Sequence, residues 1–159
     1  MLARTLADVL PGTVISLDSI NDERGLRGGQ GIPVEEWVRT HELARGRARA
    51  ALNRDDTVII DDTSSPRFLR DAWRSLAAVD DAGFVLVFID AAEETLRLRR
   101  AANRARSRRH DVSDAVMSEH LSAFEAPYED EEPVRVVAED VSLPQMVVAV
   151  SNAMSQPQR

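Results

Sequence analysis

No lysine occurs among the 159 residues, and all 20 basic side chains are arginine. Arginine presents a planar fork and lysine a compact point charge, so the two are not interchangeable at a phosphate site. Any step that needs a lysine cannot be supplied from within this sequence. Cysteine is also absent, which excludes a disulfide framework and thiolate metal sites. No apolar run approaches the ~20 residues of a membrane-spanning helix. The opening MLARTLADVLPG lacks the basic-then-apolar layout of a signal peptide. A cytoplasmic address with no membrane partner is therefore expected. No internal repeat or low-complexity linker is visible, and the length suits one domain over 1–159.

What is present favours a folded globular chain, with 43% hydrophobic and 30% charged residues. The net charge of −7 argues against broad, non-specific nucleic-acid binding, so nucleic acid is the less favoured partner. Residues 2–10 space Leu2, Leu6, Val9 and Leu10 as a helix face does, and Pro11-Gly12 ends that run. Strands are expected at Thr13–Leu17, Thr57–Ile60, Phe84–Ile89 and Val134–Ala138. Helices are expected over 33–53, 66–79, 92–106, 113–124 and 143–154, with Ser113 as an N-cap. The strands are continuous apolar runs alternating with helices, the pattern of an α/β parallel sheet covered on both faces. Ligands of such sheets sit at the carboxyl ends of the strands. Three of the four expected strands run into aspartate there, at Asp18, Asp61/Asp62 and Asp90.

Asp61 and Asp62 follow an apolar strand directly, with Thr63 and Ser64 next. Carboxylates so placed can hold magnesium beside a triphosphate, or merely cap the helix that opens near Pro66. Asp18 is expected to close its strand before the polar, glycine-rich loop SINDERGLRGGQG. It can accept the proton of an attacking hydroxyl, or serve as a turn residue. Gly28-Gly29-Gln30-Gly31 follows no strand and lacks G-x-x-x-x-G-K-[ST], so it reads as a substrate-side loop rather than a phosphate cradle.

The segment RLRRAANRARSRRH, Arg97 to His110, holds seven arginines and no acid. Arg97, Arg100, Arg104 and Arg108 share one helix face, where like charges repel by a few tenths of a kcal/mol per pair. A polyanion on that face would relieve the repulsion; a solvated arginine face is the bland alternative. His110 reads as a loop histidine, and His41 and His120 lie too far apart in sequence to suggest a metal pair.

In order, these residues resemble the P-loop kinases of the polynucleotide-kinase and zeta-toxin type, often described as AAA-family ATPase-like kinases. The resemblance spans residues 1 to about 127. It rests on LARTLA opening a helix, on VISLDSI, on VIIDDTS with PRFLRDAW, and on LRLRRAANR…RHDVSDAVMSEHLSAFEAP. It implies a P-loop NTPase-like parallel sheet of order resembling 2-3-1-4-5, with ATP and Mg²⁺ bound. It implies Asp18 as the base for the substrate hydroxyl and Asp62 as the acid of a D-T-N motif, with Asp61 in the Walker B neighbourhood. Arg100 and Arg104 match lid arginines that reach the phosphates, within a lid over about 97–112. Arg97 and Arg108 on the same face, with Thr63, join the expected nucleotide contacts.

The departures are informative. The D-T-N asparagine is Ser64 here, and the polynucleotide kinases' arginine three positions after the base is Asn21. The family's first strand and its Gly-rich lysine loop would precede Leu2, and the sequence given holds neither. A buried strand with four large apolar side chains contributes about 6–12 kcal/mol, against ~5–15 kcal/mol for a whole domain. The chain as it stands is thus expected to be marginal or unfolded, and inactive, with its natural start lying upstream. The expected function is ATP-dependent phosphorylation of a hydroxyl on a small molecule, nucleotide or RNA end. The alternatives are a catalytically dead P-loop relative acting as a binding module, and a nucleic-acid-binding arginine face.

Overall fold

The computed structural model describes residues 2–10, 12–26, 31–106, 113–137 and 142–155. Helix α1 (Leu2–Val9) leads into strand β1 (Gly12–Ser16), followed by α2 (Leu17–Glu23) and α3 (Val34–Leu52). Strand β2 (Thr57–Asp61), α4 (Arg67–Val79), β3 (Val87–Asp90), α5 (Glu93–Arg106) and α6 (Asp114–Ser122) come next. A 3₁₀ turn over Glu129–Glu131 precedes β4 (Val134–Val137) and α7 (Leu143–Met154). The α/β, parallel-stranded fold expected from the sequence is the one observed. The segments Gly28-Gly29-Gln30 and 107–112, with Arg108 and His110, lie outside the described residues.

The four strands form two parallel pairs, β1 with β2 and β3 with β4. Gly12 pairs with Thr57 and Ser16 with Asp61; Val87 pairs with Val134 and Asp90 with Val137. Among the described residues, neither β2 nor β3 has a second strand neighbour. These two pairings are what an order of 2-3-1-4-5 leaves without its first strand. Gly12 is required by close approach, since a Cβ there would meet the Thr57 carbonyl oxygen at 2.9 Å.

Both faces of the β1–β2 pair are covered. Val58 and Ile60 point into a core of Ile15, Leu17, Ile20, Ala44, Ala48, Trp73 and Leu76. Ile59, on the opposite face by the two-residue period of a strand, packs with Leu6, Val147 and Val150. The small alanines of α3, all but inaccessible, let that helix lie close on β1 and β2. Helix α1 touches β1, β2 and α7, and α7 touches β4, so the helices join the two strand pairs across the unpaired edges.

Two sequence expectations change. Asp18 does not close a strand: β1 ends at Ser16, and Asp18 lies in the first turn of α2. Leu17, expected as the last strand residue, and Ile20, expected in the loop, lie three apart and nearly inaccessible, and burying both on one face winds the chain into a helix. Strand β3 begins at Val87 rather than Phe84, because its partner β4 begins only at Val134 and the ladder can run no further. Phe84 instead packs against the core, with the Arg74 guanidinium 5.0 Å from its ring centre.

A buried ion pair holds the C-terminal half of the chain onto α4. Arg70 and Glu131 have side chains 3% and 0% exposed, and both carboxylate oxygens are engaged, at 2.7 and 2.9 Å. Arg70 also donates to the carbonyls of Ser64 and Glu125, at 3.0 and 2.9 Å. The Arg70 hydrogen bonds outweigh the cost of burial and hold the Glu131 carboxyl down at about 2, with the Tyr128 N–H helping. Removing one partner of such a pair leaves the other charge buried. Glu131→Gln should therefore destabilise the fold at pH 7 by about 3 kcal/mol. A depressed carboxylate contributes stability above its unfolded value near 4.5 and loses it as pH falls toward about 2. Urea unfolding at pH 7, 4 and 2.5 should show the gap between wild type and variant closing over that window.

Candidate functional site

The register Ser16↔Asp61 puts the ends of β1 and β2 level, so Asp18 and Asp61/Asp62 lie at one edge of the parallel pair. Asp18 is exposed in the first turn of α2, where Ser16 caps the helix by accepting from the Ser19 N–H at 3.4 Å. Asp61 is exposed at the last position of β2, Asp62 is half-buried, and Thr63 is exposed. Ser64 donates its hydroxyl to Asp62 Oδ2 at 2.9 Å.

Ser64 has φ of +45°, in the left-handed region. Asparagine is several-fold enriched there. That gives a backbone reason for an asparagine at this position in a D-T-N sequence, and it is a role serine fills less comfortably. Two bonds hold Ser64 in place: its own hydroxyl on Asp62, and Arg70 on its carbonyl.

Asn21 proves to be a structural residue. It is 4% exposed, and its Oδ1 accepts from the Thr40 hydroxyl at 2.6 Å. Arg24 donates to the same hydroxyl and to the Glu36 carbonyl, and its guanidinium pairs with the Glu36 carboxylate. This network ties α2 to α3 beside the strand ends.

Among the described residues, Arg97, Arg100 and Arg104 of the α5 face find carboxylates within the chain itself, which offset their mutual repulsion. Arg97 pairs with Glu94 three residues before it. Arg100 and Arg104 both reach Asp114 Oδ1 on α6, at 2.6 and 3.1 Å. Hydrogen bonds first from Arg100 and then from Arg104 hold the Asp114 carboxyl below its usual range. Two guanidinium groups thus converge on one anionic oxygen, the geometry they would offer a phosphate oxygen. Sequence spacing indicates that Arg100 and Arg104 act together, but not that Asp114 would be their partner.

His41, set aside from its spacing, comes within electrostatic reach of Asp62. It sits in the second turn of α3, half-buried. Burial pushes the imidazole below its ordinary value and Arg45 adds to that, while the Asp62 carboxylate holds it up. Its position on the flank of the Thr40–Ala44–Ala48 core face was the readable signal.

Among the described residues, no three His, Asp or Glu side chains gather into a metal cage. Magnesium binds through one or two carboxylates while keeping waters and phosphate oxygens. Asp61 and Asp62, two hard oxygen donors at one strand end, fit that ion. No helix among the described residues is long and apolar enough to cross a membrane.

The Asp62 charge opposes the loss of the His41 proton. Asp62→Asn should therefore lower the His41 titration midpoint further. An NMR titration of the imidazole protons in metal-free buffer measures it; an unmoved midpoint would mean that the two groups do not interact.

A family model described as an AAA domain matches residues 1–127, most of the chain. The crystal structure of a putative kinase from Chloroflexus aurantiacus superposes with a TM-score of 0.68, at 18% identity. That match covers 95% of this chain and 89% of the other. No curated protein matches the sequence. The length of the family match, together with a parallel-stranded fold carrying acids at its strand ends, places this chain in the AAA domain family.

Proposed function

We propose that this chain carries the acceptor side, the metal-side acids and the arginine helix of an ATP-dependent kinase. Its reaction moves the γ-phosphoryl group of ATP to a hydroxyl of a small molecule, nucleotide or RNA end. The observation that carries the reading is the level register of β1 and β2, which brings Asp18 and Asp61/Asp62 to one edge. The fold it shares with a protein described as a putative kinase supports the same reading.

In this reading the acceptor oxygen attacks the γ-phosphorus, its proton passes to the Asp18 carboxylate, and ADP leaves. Asp61 and Asp62 would hold magnesium, which when bound neutralises charge on the β- and γ-phosphates. Arg100 and Arg104 exchange Asp114 for phosphate oxygens. Asp114 is largely exposed to water and carries a single charge, so a triphosphate of much higher charge displaces it readily. Arg97 lies one turn further along the same face, and Thr63 sits beside the acids.

The polynucleotide-kinase and zeta-toxin type is the finer assignment. Buried Asn21 contributes no charge toward a nucleic-acid end, so a small hydroxyl compound or nucleotide is preferred as acceptor. A non-catalytic relative is the second reading, favoured by one observation: no lysine is available in this sequence for the β- and γ-phosphates.

The test uses a gene product that includes the family's Gly-rich lysine loop, assayed for phosphate transfer against a panel of hydroxyl compounds. Asp18→Asn should lower kcat by about 100-fold or more, with nucleotide Kd within about twofold. Arg104→Ala should lower kcat by about 10–100-fold and affinity much less, because its contact tightens as charge moves in the transition state. Normal turnover in the Asp18 variant removes the base assignment. Nucleotide binding without transfer to any acceptor favours the non-catalytic reading.

A further inference from the structure

The loop that carries Asp62 does not stand alone. Between the end of β2 and the start of α4, residues 62–66 are stitched to residues 124–131, some sixty positions later in sequence. The Ser65 hydroxyl accepts from the Glu125 N–H at 2.9 Å. The Glu125 carboxylate accepts from the Arg67 N–H, at the start of α4, also at 2.9 Å. Arg67 pairs with Asp130 through its side chain. At the centre is Arg70, whose Nη1 donates to the Ser64 and Glu125 carbonyls while Nε and Nη2 grip Glu131. Arg74 adds a bond to the Glu131 carbonyl at 3.0 Å.

This guanidinium therefore touches both halves of the candidate site through backbone. On one side it holds the carbonyl of left-handed Ser64, whose hydroxyl orients Asp62. On the other it holds Glu125, just beyond α6, whose first turn presents Asp114 to Arg100 and Arg104. A non-glycine residue at positive φ persists only where its surroundings over-determine it. A lysine, with no fork, could not make both sets of contacts from one centre.

Resting on the kinase reading above, we propose that Arg70, clamped by Glu131, is a positioning residue that sets the Asp62 loop and the α6 anchor of the arginine helix in register with each other. It touches no substrate. It acts by fixing two backbone carbonyls that belong to opposite sides of the site.

The test compares wild type, Arg70→Lys and Glu131→Gln in hydrogen exchange of the chain. Lysine keeps the charge opposite Glu131 and gives up the bridging bonds. Amides in 62–67 and 124–128 should then exchange at least about tenfold faster together, while β1 and α3 keep their protection. Glu131→Gln leaves the two carbonyl bonds, so beyond the uniform acceleration that its lower global stability brings, its local effect should concentrate at 128–132. In Arg70→Lys, acceleration at only one of the two segments, or uniform acceleration across the chain, overturns the proposal. So does a failure of both variants to fold, which would make the pair purely structural.

A second arm measures Mg²⁺-ATP hydrolysis, with water as acceptor, in the loop-containing gene product. Arg70→Lys should lower kcat at least about tenfold with the KM for ATP within about twofold; an unchanged kcat overturns the positioning role. A wild type that hydrolyses no ATP counts against the kinase reading, and the exchange data then decide the positioning role alone.

Discussion

The described fold depends on how two parallel strand pairs, which share no ladder among the described residues, are held together. Strands β2 and β3 each have one described partner, so backbone hydrogen bonding stops at the inner edge of each pair. Parallel sheets are normally buried on both faces, and these strands are only partly so. Joining the halves falls to side chains. Leu6 of α1 shares one cluster with Ile59, Val87, Val147 and Val150, so residues of both pairs pack into one apolar core. The Arg70–Glu131 pair makes the second join, from the opposite side of the chain order.

The two joins differ in character, and the difference bears on function. The apolar cluster is non-directional: it favours burial but tolerates small shifts between its members. The ion pair is directional, because a guanidinium in a fork geometry fixes the plane and distance of everything it touches. Replacing a buried ion pair with apolar residues is often neutral or stabilising, so stability alone gives little reason to keep one here. Keeping Ser64 in its left-handed conformation and Glu125 beside it does give a reason.

Much of the fold was legible in the sequence because it rests on local pattern. The apolar runs at Thr57–Ile60 and Val134–Ala138, and the helical periodicity of 33–53, fix their element types without help from distant residues. Helix α2 was harder, since only two large apolar residues lie within a polar stretch and their burial depends on α3 and β1 arriving above them. At the site, the acids after β2 were visible because a carboxylate directly after a buried strand has few other places to go. Asp114, Glu131 and His41 were not, since each acquires its role from a partner 14, 61 and 21 positions away in Arg100, Arg70 and Asp62. Sequence spacing shows which side chains share a helix face; it carries no information about which face of another element will meet them.

The same distinction explains why the arginine series, read alone, does not show its partner within the chain. Arginines spaced three and four apart on one helix imply a missing anion, and a phosphate is the natural candidate. The chain supplies its own, in Glu94 and Asp114. Asp114 lies in the first turn of α6, where the helix dipole favours a negative charge whether or not the arginines are present. In the proposed exchange, a phosphate that takes its guanidinium partners would leave Asp114 in a position that still suits it, with little lost. An acid elsewhere on the surface would lack that second source of stabilisation and would hold the arginines more stubbornly. Its place at a helix start, together with its exposure to water, is what the proposed transfer of Arg100 and Arg104 to phosphate asks of this carboxylate.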